Sequence, residues 1–244
     1  MKKLFLTFGL IAMSGAAFAQ GYVNFNAAAN PYVVTNTAMP PLFGGSGLGG
    51  VSGPTMTNAN QYYYALLIQG QTTYGVASTD TTVWDGTWTY AGIMSTNSSV
   101  LRGRIYSEGV VIYVGSIVNN LGQTWNGNGE SYGYPDGVTN SIVLVGWSAN
   151  MGTSWSAVSA LLASQQFFSS YGTEYFGESM IGYLVPNYAM PGALVFASGP
   201  TVNGLPIYNP ASNPMELYAL VPEPSTLALA GLGGLSLWLF RRRK

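Results

Sequence analysis

The sequence predicts an all-β domain, a mainly antiparallel sandwich or barrel-like fold, with a single helix near residues 154–170. Three observations carry that expectation. Strand-length runs rich in Val, Ile, Tyr and Trp follow one another between Gly, Asn, Pro and Asp, the pattern of short strands joined by turns. Only one segment sets its apolar residues at helical spacing. Charged residues make up 7% of the 244-residue chain, against about 25% in an ordinary soluble domain, and Ser, Thr, Asn, Gly and Tyr fill the difference.

The expected strands are Tyr22 to Asn26, Tyr62 to Gln69, Thr87 to Ser95, Val110 to Val118, Ser141 to Ser148, Met180 to Val185, Ala193 to Ser198 and Glu216 to Leu220. Their number and spacing favour a sandwich or barrel over a parallel sheet. Between the first two, residues 27–61 are rich in Gly, Asn and Pro, with six glycines in the ten positions from Gly44 to Gly53. Such a composition buries little apolar surface, so a long flexible loop is expected there. From Thr153 to Tyr171, Trp155, Val158, Leu161, Leu162 and Phe168 fall on one helical face, with Gly172 as a stop. This helix is expected to pack on the sheet.

Both ends read as addresses. Met1-Lys2-Lys3, an apolar run from Leu4 to Met13, and the small-residue sequence Ala17-Phe18-Ala19 before Gln20 have the order of a secretory signal peptide. Signal peptidase is expected to cut after Ala19, leaving residues 20–221 as one β-rich secreted domain. At the other end Val221-Pro222-Glu223-Pro224-Ser225 precedes an almost wholly apolar stretch, residues 226–240, and the basic cluster Arg241-Arg242-Arg243-Lys244. Fifteen residues of helix span about 22 Å, short of the ~30 Å hydrocarbon core, so the expectation is a short transmembrane helix. The arginines would stop transfer and remain cytoplasmic.

The Val-Pro-Glu-Pro-Ser segment, the short apolar helix and the Arg-rich end together resemble the PEP-CTERM sorting tail. The resemblance implies residues 222–244 as a tail recognised at Pro222, Glu223 and Pro224 by exosortase, a membrane-embedded transpeptidase. Arg241, Arg242 and Arg243 then act as its stop signal. It further implies passage through the inner membrane, transient anchoring there, and release to the cell surface or the extracellular matrix, commonly in bacteria that make exopolysaccharide. A narrower resemblance, to short secreted proteins of the same kind, covers Gln20 to Asn26, Ser141 to Trp147 and Tyr171 to Ser179. It implies architecture and localisation, and no activity.

Composition narrows the chemistry of the mature domain. With no histidine and no cysteine there is no Ser-His-Asp triad, no thiolate nucleophile, no zinc site of the usual kind and no disulfide. Between Gln20 and Val221 only Arg102 and Arg104 oppose eight carboxylates, so nucleic acid is excluded as a partner. Carboxylates remain as acid and base groups, which leaves a secreted carboxylate-dependent glycosidase as the alternative function. Glu174 and Glu178 are the nearest pair, and Gly177 favours a turn between them. The Asn126 to Glu130 loop with Asp136, and the pair Asp80 and Asp85, place oxygen ligands as calcium loops do but lack their spacing, so hydrated turns are expected and no metal or other cofactor.

The excess is aromatic. Trp84, Trp88, Trp125, Tyr132 and Tyr134 stand beside Gly, Asn and Asp in apparent loops or strand ends. Rings of that kind cover the C–H faces of sugars while amides and carboxylates bond the hydroxyls, and they equally cap a sandwich core. The sequence therefore predicts a non-catalytic surface or matrix protein associated with exopolysaccharide, these five residues being the candidate contacts. An ice-binding or adhesive surface is a further alternative, although Thr-x-Thr at Thr35, Thr55, Thr79 and Thr87 is irregularly spaced.

Overall fold

The computed structural model describes residues 21–26, 31–36, 51–54, 60–70, 83–106, 111–127, 137–164, 174–188 and 191–220. Within them the chain is mostly β-structure with one α-helix, as its turn-punctuated sequence predicts. The strands are β1 (Tyr22–Asn24), β2 (Val33–Asn36), β3 (Val51–Pro54), β4 (Tyr62–Gly70), β5 (Thr89–Thr96), β6 (Val111–Tyr113) and β7 (Asn140–Ser148). After the helix α1 (Trp155–Ser164) come β8 (Glu174–Glu178), β9 (Gly182–Leu184), β10 (Ala193–Leu194), β11 (Gly204–Leu205) and β12 (Met215–Leu220).

Strand β7 organises the larger sheet. It pairs antiparallel with β4 along its whole length, from Tyr62↔Ser148 to Gly70↔Asn140. Its other edge is shared end to end by β8, at Val145 to Trp147, and β9, at Asn140 to Ile142. Outward from β4 lies β5, outward from β8 come β12, β2 and β3, and β11 adds to β9. A smaller sheet has β1 at its centre, between β6 and β10. The β12–β2 and β1–β10 pairs are parallel and the remaining strand pairs antiparallel, which makes both sheets mixed.

Side-chain alternation assigns each face a partner. From β4 and β7, Tyr64, Leu66, Ile68, Ile142 and Leu144 join Val23, Ala193 and Val195 in a core between the two sheets. The intervening residues Ala65, Leu67, Val143, Val145 and Trp147 point the other way, onto Trp155, Val158 and Leu162 of α1. The large sheet is thus covered on both sides. That is why β4 and β7 read as nearly continuous apolar runs, whereas β12, with alternating buried and half-buried positions, does not.

Two sequence expectations are corrected here. Residues 27–61 are not one loop, because β2 and β3 lie within them and Val33, Val34, Thr35 and Asn36 are all buried. The four residues of β2 find partners on both edges, in β12 and β3, and pairing of this range overrides composition. Glu174 to Glu178 is strand β8 rather than a turn, with Gly177 serving close approach: a Cβ there would collide with the Glu216 backbone of β12. The helix lies where the sequence places it, described over 155–164, and Ser154 caps it, its hydroxyl oxygen accepting from the Ala157 N–H; Phe168 and Gly172 lie outside the described residues.

Candidate functional site

The five aromatic residues singled out by sequence separate into different environments. Trp125 is 0% exposed in the core between the sheets, with its indole N–H directed at the Leu184 carbonyl, 3.4 Å away. Trp88 is 6% exposed and belongs to the core under α1. Neither ring can meet a polysaccharide without unfolding, so both are corrected from contact residues to core residues. Trp84 is half-buried, edge-on to Phe176 with ring centroids 5.9 Å apart. Tyr132 and Tyr134 lie outside the described residues.

Other aromatics do reach the surface. Across the large sheet, register sets Tyr63, Trp147, Phe176 and Tyr218 in one row on the helix-side face. Trp155 covers the middle of that row, and its Tyr63 end opens into a cleft of about 220 Å³ lined by Asn60, Tyr63, Met94, Ser95, Thr96 and Tyr106. Tyr63 stacks on Trp147 at 6.2 Å and 21°, while Tyr106, 47% exposed, forms the outer wall. A second aromatic surface is the outer face of the small sheet, where Tyr22 and Tyr113 meet at 5.7 Å and the Tyr113 ring takes the space a side chain at Gly115 would need. The sequence signal for Tyr63, Tyr106 and Tyr113 was diluted by the many tyrosines in strands.

The carboxylates have separate tasks. Glu174 is buried at the start of β8 and one of its carboxylate oxygens has no hydrogen-bond partner among the described residues. Desolvation holds its pKa above the ordinary carboxyl range. Glu178 stands on the same face four residues on, about 13 Å of strand away, with Phe176 between them. Glu216 accepts a 2.7 Å hydrogen bond from the Asn36 amide. It also accepts one from the Tyr218 hydroxyl, whose pKa is pushed up to about 12 by desolvation and then by the Glu216 charge. Asp85 accepts from the Thr87 backbone and hydroxyl in an exposed turn. Among the described residues no three His, Cys, Asp or Glu side chains gather around a point that could hold a metal ion. Asp80, Glu108, Glu130 and Asp136 lie outside them.

The last strand leads straight into the C-terminal address. Leu220 pairs with Glu174 as the final residue of β12, and Pro222, Glu223 and Pro224 follow within four positions. Residues 220–244 match the family model described as the PEP-CTERM protein-sorting motif. The chain carries a PEP-CTERM tail. That tail marks an exported, C-terminally sorted protein and implies processing by an exosortase-type transpeptidase. No curated protein matches the chain, and no solved structure does. The PEP-CTERM residues 222–244, like the N-terminal residues expected to form a signal sequence, Ala17, Ala19 and Gln20 among them, lie outside the described residues; within those, no helix is long and apolar enough to cross a membrane.

Proposed function

We propose that the chain is an exported, C-terminally sorted surface or matrix protein that acts by non-catalytic association with exopolysaccharide. The observation that carries this reading is the PEP-CTERM tail joined without a linker to the last strand of a β domain. Two features support the non-catalytic part. Glycosidases flank the scissile bond with carboxyl groups about 5 to 9.5 Å apart, whereas Glu174 and Glu178 are strung along one strand with a phenyl ring between them. The exposed aromatics, Tyr106 and Tyr113 among them, offer stacking surface, and the described domain has only Arg102 and Arg104 for charge-driven binding.

In this reading residues 1–19 leave first, by signal peptidase acting after Ala19. Residues 226–240 hold the chain in the inner membrane, with Arg241 to Arg243 inside, until exosortase acts at Pro222 to Pro224. The domain then reaches the surface or the matrix. Intact mass of the exported protein tests this: the expected species begins at Gln20 and ends near Pro222. Replacing Pro222, Glu223 and Pro224 by alanine should leave the tailed chain in the inner membrane. Extracellular protein that still carries Arg241 to Lys244 would overturn the reading.

A further inference from the structure

We infer that the cleft at the Tyr62 end of the β4–β5 pair is a binding subsite for one neutral sugar ring. The inference rests on the proposed association with polysaccharide and gives it a location. Six residues line the cleft and none is charged: Asn60, Tyr63, Met94, Ser95, Thr96 and Tyr106. Phosphates, ammonium groups and uronates would therefore find no counter-ion there. What the walls offer is two phenol rings, a thioether, the Thr96 hydroxyl and an amide, a set that matches a ligand with apolar C–H faces and a hydroxyl rim. Its volume of about 220 Å³ lies below the ~300–1,000 Å³ of sites for drug-sized molecules, which restricts the occupant to a single ring of a longer chain.

The cleft is held open by the fold. Tyr63 cannot rotate freely because its ring stacks on Trp147, itself fixed by an indole hydrogen bond of 2.8 Å to the Gly152 carbonyl. Opposite it, the Tyr106 backbone is tied to β5, its N–H donating to Thr96 at 2.8 Å and its carbonyl accepting from the Ser95 hydroxyl. Asn60 sits on the rim at φ 60°, and no other non-glycine residue among those described has positive φ. The next two backbone N–H groups, of Gln61 and Tyr62, both donate to the buried Asn97 side chain at 3.0 Å, which clamps the turn that presents the Asn60 amide. A polar side chain on a strained, clamped backbone beside two aromatic walls is a preorganised arrangement.

The test uses the full chain in detergent micelles and its mobility in native gels containing dextran, galactomannan or xylan as neutral probes, with alginate as the acidic one. Retardation by at least one neutral polymer is expected, changing less than about twofold between low and high salt because no charge is involved. Tyr106→Ala and Asn60→Gly should each weaken it about tenfold, the loss of one good contact. Both positions are exposed, and glycine accepts the backbone of residue 60. Should Tyr106→Ala lower the melting temperature, Thr96→Val removes a lining hydroxyl at constant shape and carries the same expectation, and Tyr106→Phe should retain most of the retardation. If no neutral polymer retards the native chain, or alginate alone does with steep salt dependence, the association itself is wrong. If a neutral polymer binds and these variants leave it unchanged, or only Tyr113→Ala weakens it, association stands and the cleft is overturned.

Discussion

Glu174 shows at one residue how the fold sets chemistry. Its carboxyl is desolvated and one oxygen lacks a partner among the described residues, so folding shifts its balance toward the protonated form relative to the unfolded chain. A carboxyl whose folded pKa is raised keeps its proton where the unfolded chain has lost it. The contribution of this group to stability is then greatest below the ordinary carboxyl range and falls as pH rises from there through the raised folded value. Glu174→Gln removes that titration while keeping the shape. Melting temperatures followed from about pH 4 to about pH 7 should show the native protein losing ground to the variant as pH rises; parallel curves would contradict the desolvation argument. The aromatic residues show what sequence could not resolve at this scale. Trp125, between Gln-Thr and Asn-Gly-Asn, has the neighbours of a surface turn, yet its backbone N–H bonds the Ile117 carbonyl and its ring fills the core. Contacts of that kind, from residues eight or more positions away, are absent from a local window.

At the scale of elements, legibility followed packing. Strands with a strong apolar signature, β4 and β7 above all, stand where the sequence places them because each is buried on both faces. The elements that sequence missed, β2, β3, β8 and β11, are two to five residues long, and their pairing partners are remote in the chain for β2 and β8. The helix was legible through its stripe, since Trp155, Val158 and Leu162 recur at spacings of three and four and all face the sheet. Ten residues without an acidic first turn or a basic last turn would not hold a helix alone, so α1 depends on that stripe. Leu162→Ala, at a fully buried position, should therefore cost about 2–5 kcal/mol in urea unfolding and reduce the helical signal by more than one side chain's share. The exposed Ser156→Ala should change stability by less than about 0.5 kcal/mol.

For the whole molecule, the decisive relation is between the domain and the address attached to it. Strand β12 joins β8 to β2, and β2 in turn carries β3, so this part of the sheet hangs on its last strand. Met215 and Leu217 fill the core between the sheets while Leu220 reaches the core under α1, so six residues serve both layers. The PEP-CTERM match begins on the last of them. Domain and tail therefore meet without a spacer, and a cut at Pro222 to Pro224 falls just beyond the final paired residue, where it removes none of the described core residues. A chain stopped after Val221 should keep its fold, with a melting temperature and near-ultraviolet circular dichroism close to those of the full chain. Stopping after Pro214 removes Met215, Leu217 and Leu220 together and leaves β3 as the one described strand still paired with β2. At about 2–5 kcal/mol for each buried Leu or Met side chain lost, against a total stability of about 5–15 kcal/mol, that shorter chain should not fold. Equal melting of the two truncations would show that β12 belongs to the tail rather than to the domain.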